Sequence, residues 1–403
     1  MTADDRLLRL APTDAYRRDP YPHLAELRES LPVHRSALGP WAVARYLDVA
    51  RILRDPAVAN GPVDSDQAPV HGAAGLARAG IPFPVNALDR PAHARVRALV
   101  TAALGRATER VEGSVQRHAD RLLDRLDEQD GATADVVEDL AYPLPLAVLC
   151  EMLGVPEQDG WLIRGWGHAL GLAGDPGRLV GDEERAAAAT AQSEFAAYFT
   201  DLVMRRRRAR GDDLVTDLMT ARHRGDRLSA AELLVNGMFV VVNGYHNTVN
   251  LIANGALALL RHPDQLARLR ADPSLGAGAV EEALRYDSPI HSIARTARTG
   301  LEVAGTAVPA GAQLMLLVGA AHRDPAAFSE PNRFDVGRPG APRTLAFGGG
   351  AHSCPGAGLA RAEARAALCG LARRFPRLRL AGEPRPASTF TLHGLAALPV
   401  HVR

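Results

Sequence analysis

The most restrictive feature of the sequence is an uncharged run from Leu233 to Leu260, long enough to span a bilayer. It carries Asn236, Asn243, His246, Asn247, Asn250 and Asn254, and so many polar groups facing lipid would be prohibitive. The run therefore predicts a long helix over 229–261, enclosed by protein whose other elements satisfy its amides. Such a helix needs a large body around it. A chain of 403 residues with 47% hydrophobic content can supply one, and is too apolar for disorder.

Periodicity predicts further helices near 20–30, 43–54, 91–104, 110–128, 135–153, 181–210, 277–286 and 357–373. Short strands are expected at Trp41–Val43, Arg295–Ala297, Leu301–Val303 and Gln313–Leu317. The expected fold is mainly α with small β-sheets, in one large domain over 1–403. Pro and Gly cluster between 61 and 91, which suggests a lid, and 319–356 is a second irregular stretch. Charges at the N-terminus interrupt any signal-peptide core, so a cytoplasmic location is expected.

Lys+Arg number 47 against 46 Asp+Glu, a balance that argues against a general nucleic-acid or anionic-membrane binder. All these cations are arginine. The run Arg205–Arg208 fits a solvated helix C-terminus, its field partly cancelled by Asp212 and Asp213. Three cysteines without a CxxC pair exclude a disulfide framework and the usual zinc ribbons.

One of them carries the chemistry. The segment Phe347-Gly-Gly-Gly-Ala-His352-Ser-Cys354-Pro-Gly356 places glycines before the cysteine and a helix just after it. Glycines allow a tight loop whose N–H groups point at sulfur, and the helix brings its positive end near. Both favour thiolate, the form that ligates metal. The segment resembles the haem-binding loop of the cytochrome P450 family, Phe-Gly-x-Gly-x-His/Arg-x-Cys-x-Gly, at every defining position. The resemblance implies the cytochrome P450 fold and a haem b with Cys354 as axial iron ligand, Phe347 near the sulfur and His352 near a propionate. Cys150 and Cys369 would be structural.

Other segments resemble the family in the same order. Glu282-Ala-Leu-Arg285 matches its Glu-x-x-Arg pair, whose i,i+3 spacing puts both charges on one helix face; the family's further arginine would be Arg333 or Arg338. Such a pair carries little weight alone and gains it from its place ahead of the cysteine loop. His93 and Arg97, spaced i,i+4, resemble the family's His-x-x-x-Arg, and Arg295 its strand arginine. With His352 these would hold the haem propionates, since buried anions need paired cations.

The central helix departs from the family pattern. Members carry Ala/Gly-Gly-x-Asp/Glu-Thr-Thr there, where this chain has Asn243-Gly-Tyr-His246-Asn247-Thr248. His246 takes the acid position, Asn247 the threonine position, and Asn243 replaces a small residue. At about 100° per residue the asparagines at 236, 243, 247, 250 and 254 share one stripe. Asn243 and Asn247 are expected to face the pocket, whereas Asn250 and Asn254 satisfy backbone groups. A threonine hydroxyl both donates and accepts, while an amide donates without readily releasing a proton. His246, with an ordinary pKa of about 6.5, could shuttle protons if solvent reaches it. The alternatives are a substrate group that supplies the proton, or a reaction that inserts no oxygen.

The resemblance implies a monooxygenase that hydroxylates or otherwise oxidises an intermediate of specialised, antibiotic-type metabolism, and Asn243 and Asn247 suggest that this substrate is polar. Its electrons would pass from NAD(P)H through a separate ferredoxin and ferredoxin reductase. Partners would be a small-molecule substrate and that ferredoxin-type protein, with the chain a monomer apart from nucleic acid and membrane. The pocket is expected from Val85 and Asn86 on the lid, Phe239, Asn243 and Asn247 on the central helix, Ile290 to Ile293, and Phe390 to Leu392. The rival readings are oxidative coupling of aromatic rings, a haem protein that binds a ligand without turnover, and a helical binding protein without haem.

Overall fold

A computed structural model describes residues 13–36, 39–60, 82–128, 133–172 and 180–403. They gather into two compact units, one from 1–58, 116–144 and 247–403 and one from 59–115 and 145–246. Each unit is assembled from separated stretches, so no single cut in the sequence parts them. Among the described residues no helix is long and apolar enough to cross a membrane.

The first unit is organised on a sheet of five strands, β1 (Val33–Arg35), β2 (Trp41–Val43), β3 (Val58–Ala59), β4 (Ser292–Ala297) and β5 (Gln313–Leu317), in the order β1-β2-β5-β4-β3. β2 and β5 are parallel, and β4 runs antiparallel to β5 with Arg295 opposite Leu314. Alternation along the strands builds two cores. Val43, Leu314 and Leu316 face one, with Val49 and Phe328; Ala42, Met315 and Leu317 face the other, with Leu24 and Leu27.

The central run forms two helices where one is expected: α1 (Ala230–Gly244) and α2 (His246–Arg261). A capping box starts α1, with Ser229 and Glu232 satisfying each other's backbone N–H. The break falls at Tyr245, whose backbone leaves the helical region at φ −127° and ψ −37°. Its ring is fully buried, and its hydroxyl donates to the Arg164 carbonyl at 3.0 Å. A Cβ at Gly167 would lie 2.4 Å from that hydroxyl, so the neighbouring helix Gly160–Leu172 needs glycine there.

The two helices expected at 91–104 and 110–128 are instead one, Ala92–Glu128. Gly105, between them, costs only about 1 kcal/mol in a helix interior, too little to end one surrounded by good helix formers. In the first unit, α3 (Gly276–Tyr286) packs against α4 (Ala357–Arg374), the helix that follows Cys354.

Candidate active site

The loop before α4 is shaped by glycine. Gly348 and Gly350 adopt positive φ of 68° and 64°, and a Cβ on Gly350 would lie 2.8 Å from the Leu53 carbonyl. The Cys354 N–H donates to the Phe347 carbonyl at 2.9 Å, which closes the loop and leaves the cysteine exposed three residues ahead of α4. The other two cysteines are sequestered. Burial pushes the Cys150 thiol up to about 11 and also raises that of the half-buried Cys369.

Phe347 is covered by Arg361, whose guanidinium lies over the ring at 4.4 Å from its centre and pairs with Glu281. Arg54 and Arg343 line the same recess beside Cys354. His352 ends a short 3-10 turn (Gly350–His352) and is half-buried; Gly356 stands directly before α4. A Cβ on Gly356 would approach the Cys354 sulfur only to 3.9 Å, so this glycine is not demanded by that contact.

A buried clamp supports the loop. Arg285 donates to both oxygens of Glu282 at 2.8 Å, and both side chains are nearly fully buried. Of the two arginines left open by the sequence, Arg338 completes the clamp: its Nε reaches both Glu282 oxygens at 3.1 and 3.0 Å. Arg333 instead contributes its carbonyl, which accepts from Arg285 and Arg338, and pairs its own guanidinium with Glu330. Arg285 also donates to the carbonyls of His322 and Pro331. The His322 ring, held down to about 3 by burial and then by Arg285, is neutral and accepts the Leu345 N–H at 2.8 Å. A chain of contacts thus runs from α3 to the segment that enters the cysteine loop.

The expected propionate contacts lie in both units. Arg295 on β4 is buried and donates to the Ala294 carbonyl at 2.7 Å. His93 and Arg97 stand on the helix Ala92–Glu128, in the part of it that belongs to the second unit. Burial, then the Arg97 charge, lowers the pKa of His93.

On the central run, the break at Tyr245 interrupts the expected asparagine stripe. Asn236 fixes the residue expected on the lid: its Oδ1 accepts the Val85 N–H at 3.0 Å and its Nδ2 donates to the Glu232 carbonyl. The Asn86 carbonyl accepts from Asn60 at 2.6 Å, while the lid expectation for 61–81 lies outside the described residues. Asn243 is exposed and donates back to the carbonyl of the half-buried Phe239 at 3.0 Å. Asn247, the second residue of α2, has a buried Oδ1 that lacks a hydrogen-bond partner. Asn254 does satisfy backbone, donating to the carbonyls of Asp287 and His393 at 3.0 Å each. Asn250 packs so closely on Gly394 that a Cβ there would sit 2.1 Å from its Oδ1.

His246 differs from the shuttle expected near pH 6.5. Burial, then the charges of His168 and Arg164, lower it to about 4. Its ring stacks near that of the exposed His168, with centroids 6.4 Å apart. Sequence reasoning missed Thr248 and Glu363, which bond to each other in the first unit; burial pushes the Glu363 carboxyl up to about 8. The available signal was one carboxylate on the otherwise apolar face of α4, at Ala364, Ala367 and Leu371.

Two expected pocket segments meet directly. Ile290 and Leu392 form a bridge, the His291 N–H donates to the Thr391 carbonyl, and the His393 N–H to that of Pro289. Ile293 and Phe390 also pack partly against the two cores of the sheet.

The donor set fits haem. The exposed cysteine lies on a glycine loop at the start of a helix, beside an aromatic ring, and the loop is tied to a buried clamp. A family model for cytochrome P450 matches residues 277–399, which include the clamp and the cysteine loop. The cytochrome P450 monooxygenase PikC of Streptomyces venezuelae is 38% identical over 395 residues, covering 96% of this chain and 91% of that protein. Among solved structures, P450BioI in complex with hexadec-9Z-enoic acid ligated acyl carrier protein is similar at a TM-score of 0.87 and 32% identity, over 96% of this chain and 99% of that one. The bacillaene polyketide synthase cytochrome P450 PksS of Bacillus subtilis 168 is similar at 0.86 and 31%, over 97% and 99%. Loop, clamp and whole-chain likeness agree, and the chain belongs to the cytochrome P450 family of monooxygenases, oxidoreductases that bind haem iron through a cysteine thiolate.

Proposed function

We propose that this chain hydroxylates a polar intermediate of specialised metabolism, with Cys354 as the thiolate ligand and His93, Arg97, Arg295 and His352 holding the haem propionates. Haem bound through a thiolate supplies dioxygen activation, the sulfur's electron donation favouring O–O cleavage. The observation that carries the substrate class is the buried, unpartnered Oδ1 of Asn247. A buried acceptor left unmet costs about 1–3 kcal/mol, and a substrate hydroxyl or amide that donates to it recovers this. Asn243 would add a second polar contact, and the other residues that would line the pocket are Ile290, Ile293, Phe390 and Leu392 of the first unit and Val85, Asn86 and Phe239 of the second. PikC, a monooxygenase, and PksS, of a polyketide synthase, lend support by likeness.

Hydroxylation consumes one dioxygen, two electrons and two protons, and releases one water with the alcohol. The electrons would come from NAD(P)H through a ferredoxin and its reductase, and Arg54, Arg343 and Arg361 around the cysteine recess suit an acidic partner. Within the chain, Thr248 and Glu363 can hold a proton beside Asn247, since the Glu363 carboxyl stays protonated at neutral pH.

A second reading, oxidative coupling without oxygen insertion, is favoured by one observation. His246 is neutral at pH 7 and Asn247 carries no ionisable proton, so neither copies the acid–alcohol pair. Turnover under isotopically labelled dioxygen with a surrogate ferredoxin and reductase separates the two. Label in the product supports hydroxylation; unlabelled product with consumed dioxygen moves coupling ahead. A ligand screen followed by the haem spin-state shift identifies substrates first, and polar ligands should lose affinity about tenfold in Asn247→Leu.

A further inference from the structure

One cluster outside the cysteine loop has the composition of a metal site. Asp287 caps the end of α3, His291 precedes β4, and His393 lies on the segment bridged to it through Ile290 and Leu392. One donor atom from each of the three residues lies within 4.8 Å of the other two. Surrounding groups hold Asp287 and His393 in place. The Tyr21 hydroxyl donates to Asp287 Oδ1 at 2.6 Å, and one amide, from Asn254, donates to the carbonyls of both Asp287 and His393. Metal ligands are held by outer partners in this way. His291 is buried, and its Nε2 has no hydrogen-bond partner. An enclosed imidazole nitrogen left unsatisfied calls for an explanation, of which an ion is one.

We propose that Asp287, His291 and His393 form a binding site for a divalent cation of the zinc class, separate from the haem. Two imidazoles and a carboxylate, with a fourth position left for water, are a ligand set this ion takes. Tetrahedral bonds of about 2.0–2.1 Å set donors roughly 3.3 Å apart. His393 Nε2 and Asp287 Oδ1 already stand at 3.0 Å, with a proton between them. The cation takes the place of that proton, and the ring carries its N–H on Nδ1, so no oxidant or reductant is involved.

The His291 ring now stacks on His393, with centroids 4.1 Å apart and planes at 15°, and must turn to aim a nitrogen at the ion. Gly319 permits this movement, because a Cβ there would crowd the ring at 3.2 Å. Asp287 and His393 keep 15% and 13% of their side-chain surface exposed, which gives the ion a route in. Once bound, it would pin the two segments that carry Ile290 and Leu392.

The test uses the haem-loaded protein, stripped with a chelator, supplied with Zn²⁺ and passed through a desalting column. Zinc per haem, thermal unfolding and anomalous scattering at the zinc edge are then measured, with iron counted separately. The expected result is one zinc per haem, a raised Tm and an anomalous peak among the three side chains. His291→Gln should lose the zinc while keeping its haem absorbance, since Nε2 has no hydrogen bond to forfeit. His223→Gln, at an exposed histidine, should retain it. Absence of retained zinc with an unchanged Tm overturns the proposal. So does equal retention in His291→Gln, or a peak elsewhere on the surface.

Discussion

The imidazole of His246, lowered to about 4 by burial and by the charges of His168 and Arg164, stays neutral through the physiological range. Its linkage to stability follows from the direction of that shift. The unfolded chain takes up this proton below about pH 6.5 and the folded chain only near 4, so stability is full above 6.5 and lost as pH falls between them. The contribution is on the order of 3 kcal/mol at most. His246→Asn should therefore flatten the acid side of the stability curve over that window, as read by urea unfolding at a series of pH values. Glu363 acts with the opposite sign. Its folded pKa is raised to about 8, so its contribution is full below about 4.5 and lost as pH rises through 8. Glu363→Gln, which cannot ionise, should gain stability relative to the parent between pH 5 and pH 9, by a few kcal/mol at most. A gain that does not depend on pH would contradict the buried, protonated carboxyl.

Helix α1 ends at Tyr245 because a large buried ring is anchored on a neighbouring helix at a glycine. Gly167→Ala would push a methyl group into that ring and should cost about 1–3 kcal/mol, measurable as a lowered Tm. This break was not legible in the sequence, since Val240 to Leu251 contains no proline and its single glycine is ordinary for a packed helix. The helix Gly160–Leu172 was missed for a related reason: its glycines serve packing, as at Gly167, yet they lower helix propensity. The strand Gln313–Leu317 was legible because its uninterrupted apolar run matches burial on both faces of the sheet. The clamp on α3 is the element with the highest stake. Removing one partner from a buried ion pair strands the other charge, at about 3–5 kcal/mol. Arg338→Ala should thus lower Tm and haem content together, whereas Arg333→Ala, which leaves the carbonyl in place, should change neither.

For the molecule as a whole, the cysteine loop stands out in the sequence because ligand chemistry fixes residue types at fixed spacing. The same sequence left Arg333 and Arg338 unresolved, because choosing between two arginines on an irregular segment depends on the path of the backbone. It also left Thr248 and Glu363 unseen, because a pair that meets between α2 and α4 has no local pattern. The redox face can be tested at this scale. Arg54→Glu with Arg343→Glu should slow reduction by a ferredoxin and weaken its salt dependence, with the haem spectrum unchanged. Every haem-side role proposed above depends on Cys354 as the iron ligand. The direct measurement is the absorption spectrum of the reduced, CO-bound protein beside that of Cys354→Ser. The parent should show a thiolate-type, red-shifted Soret band and the variant should lose it. A folded, haem-loaded parent without that band, or a variant that keeps it, would contradict the assignment.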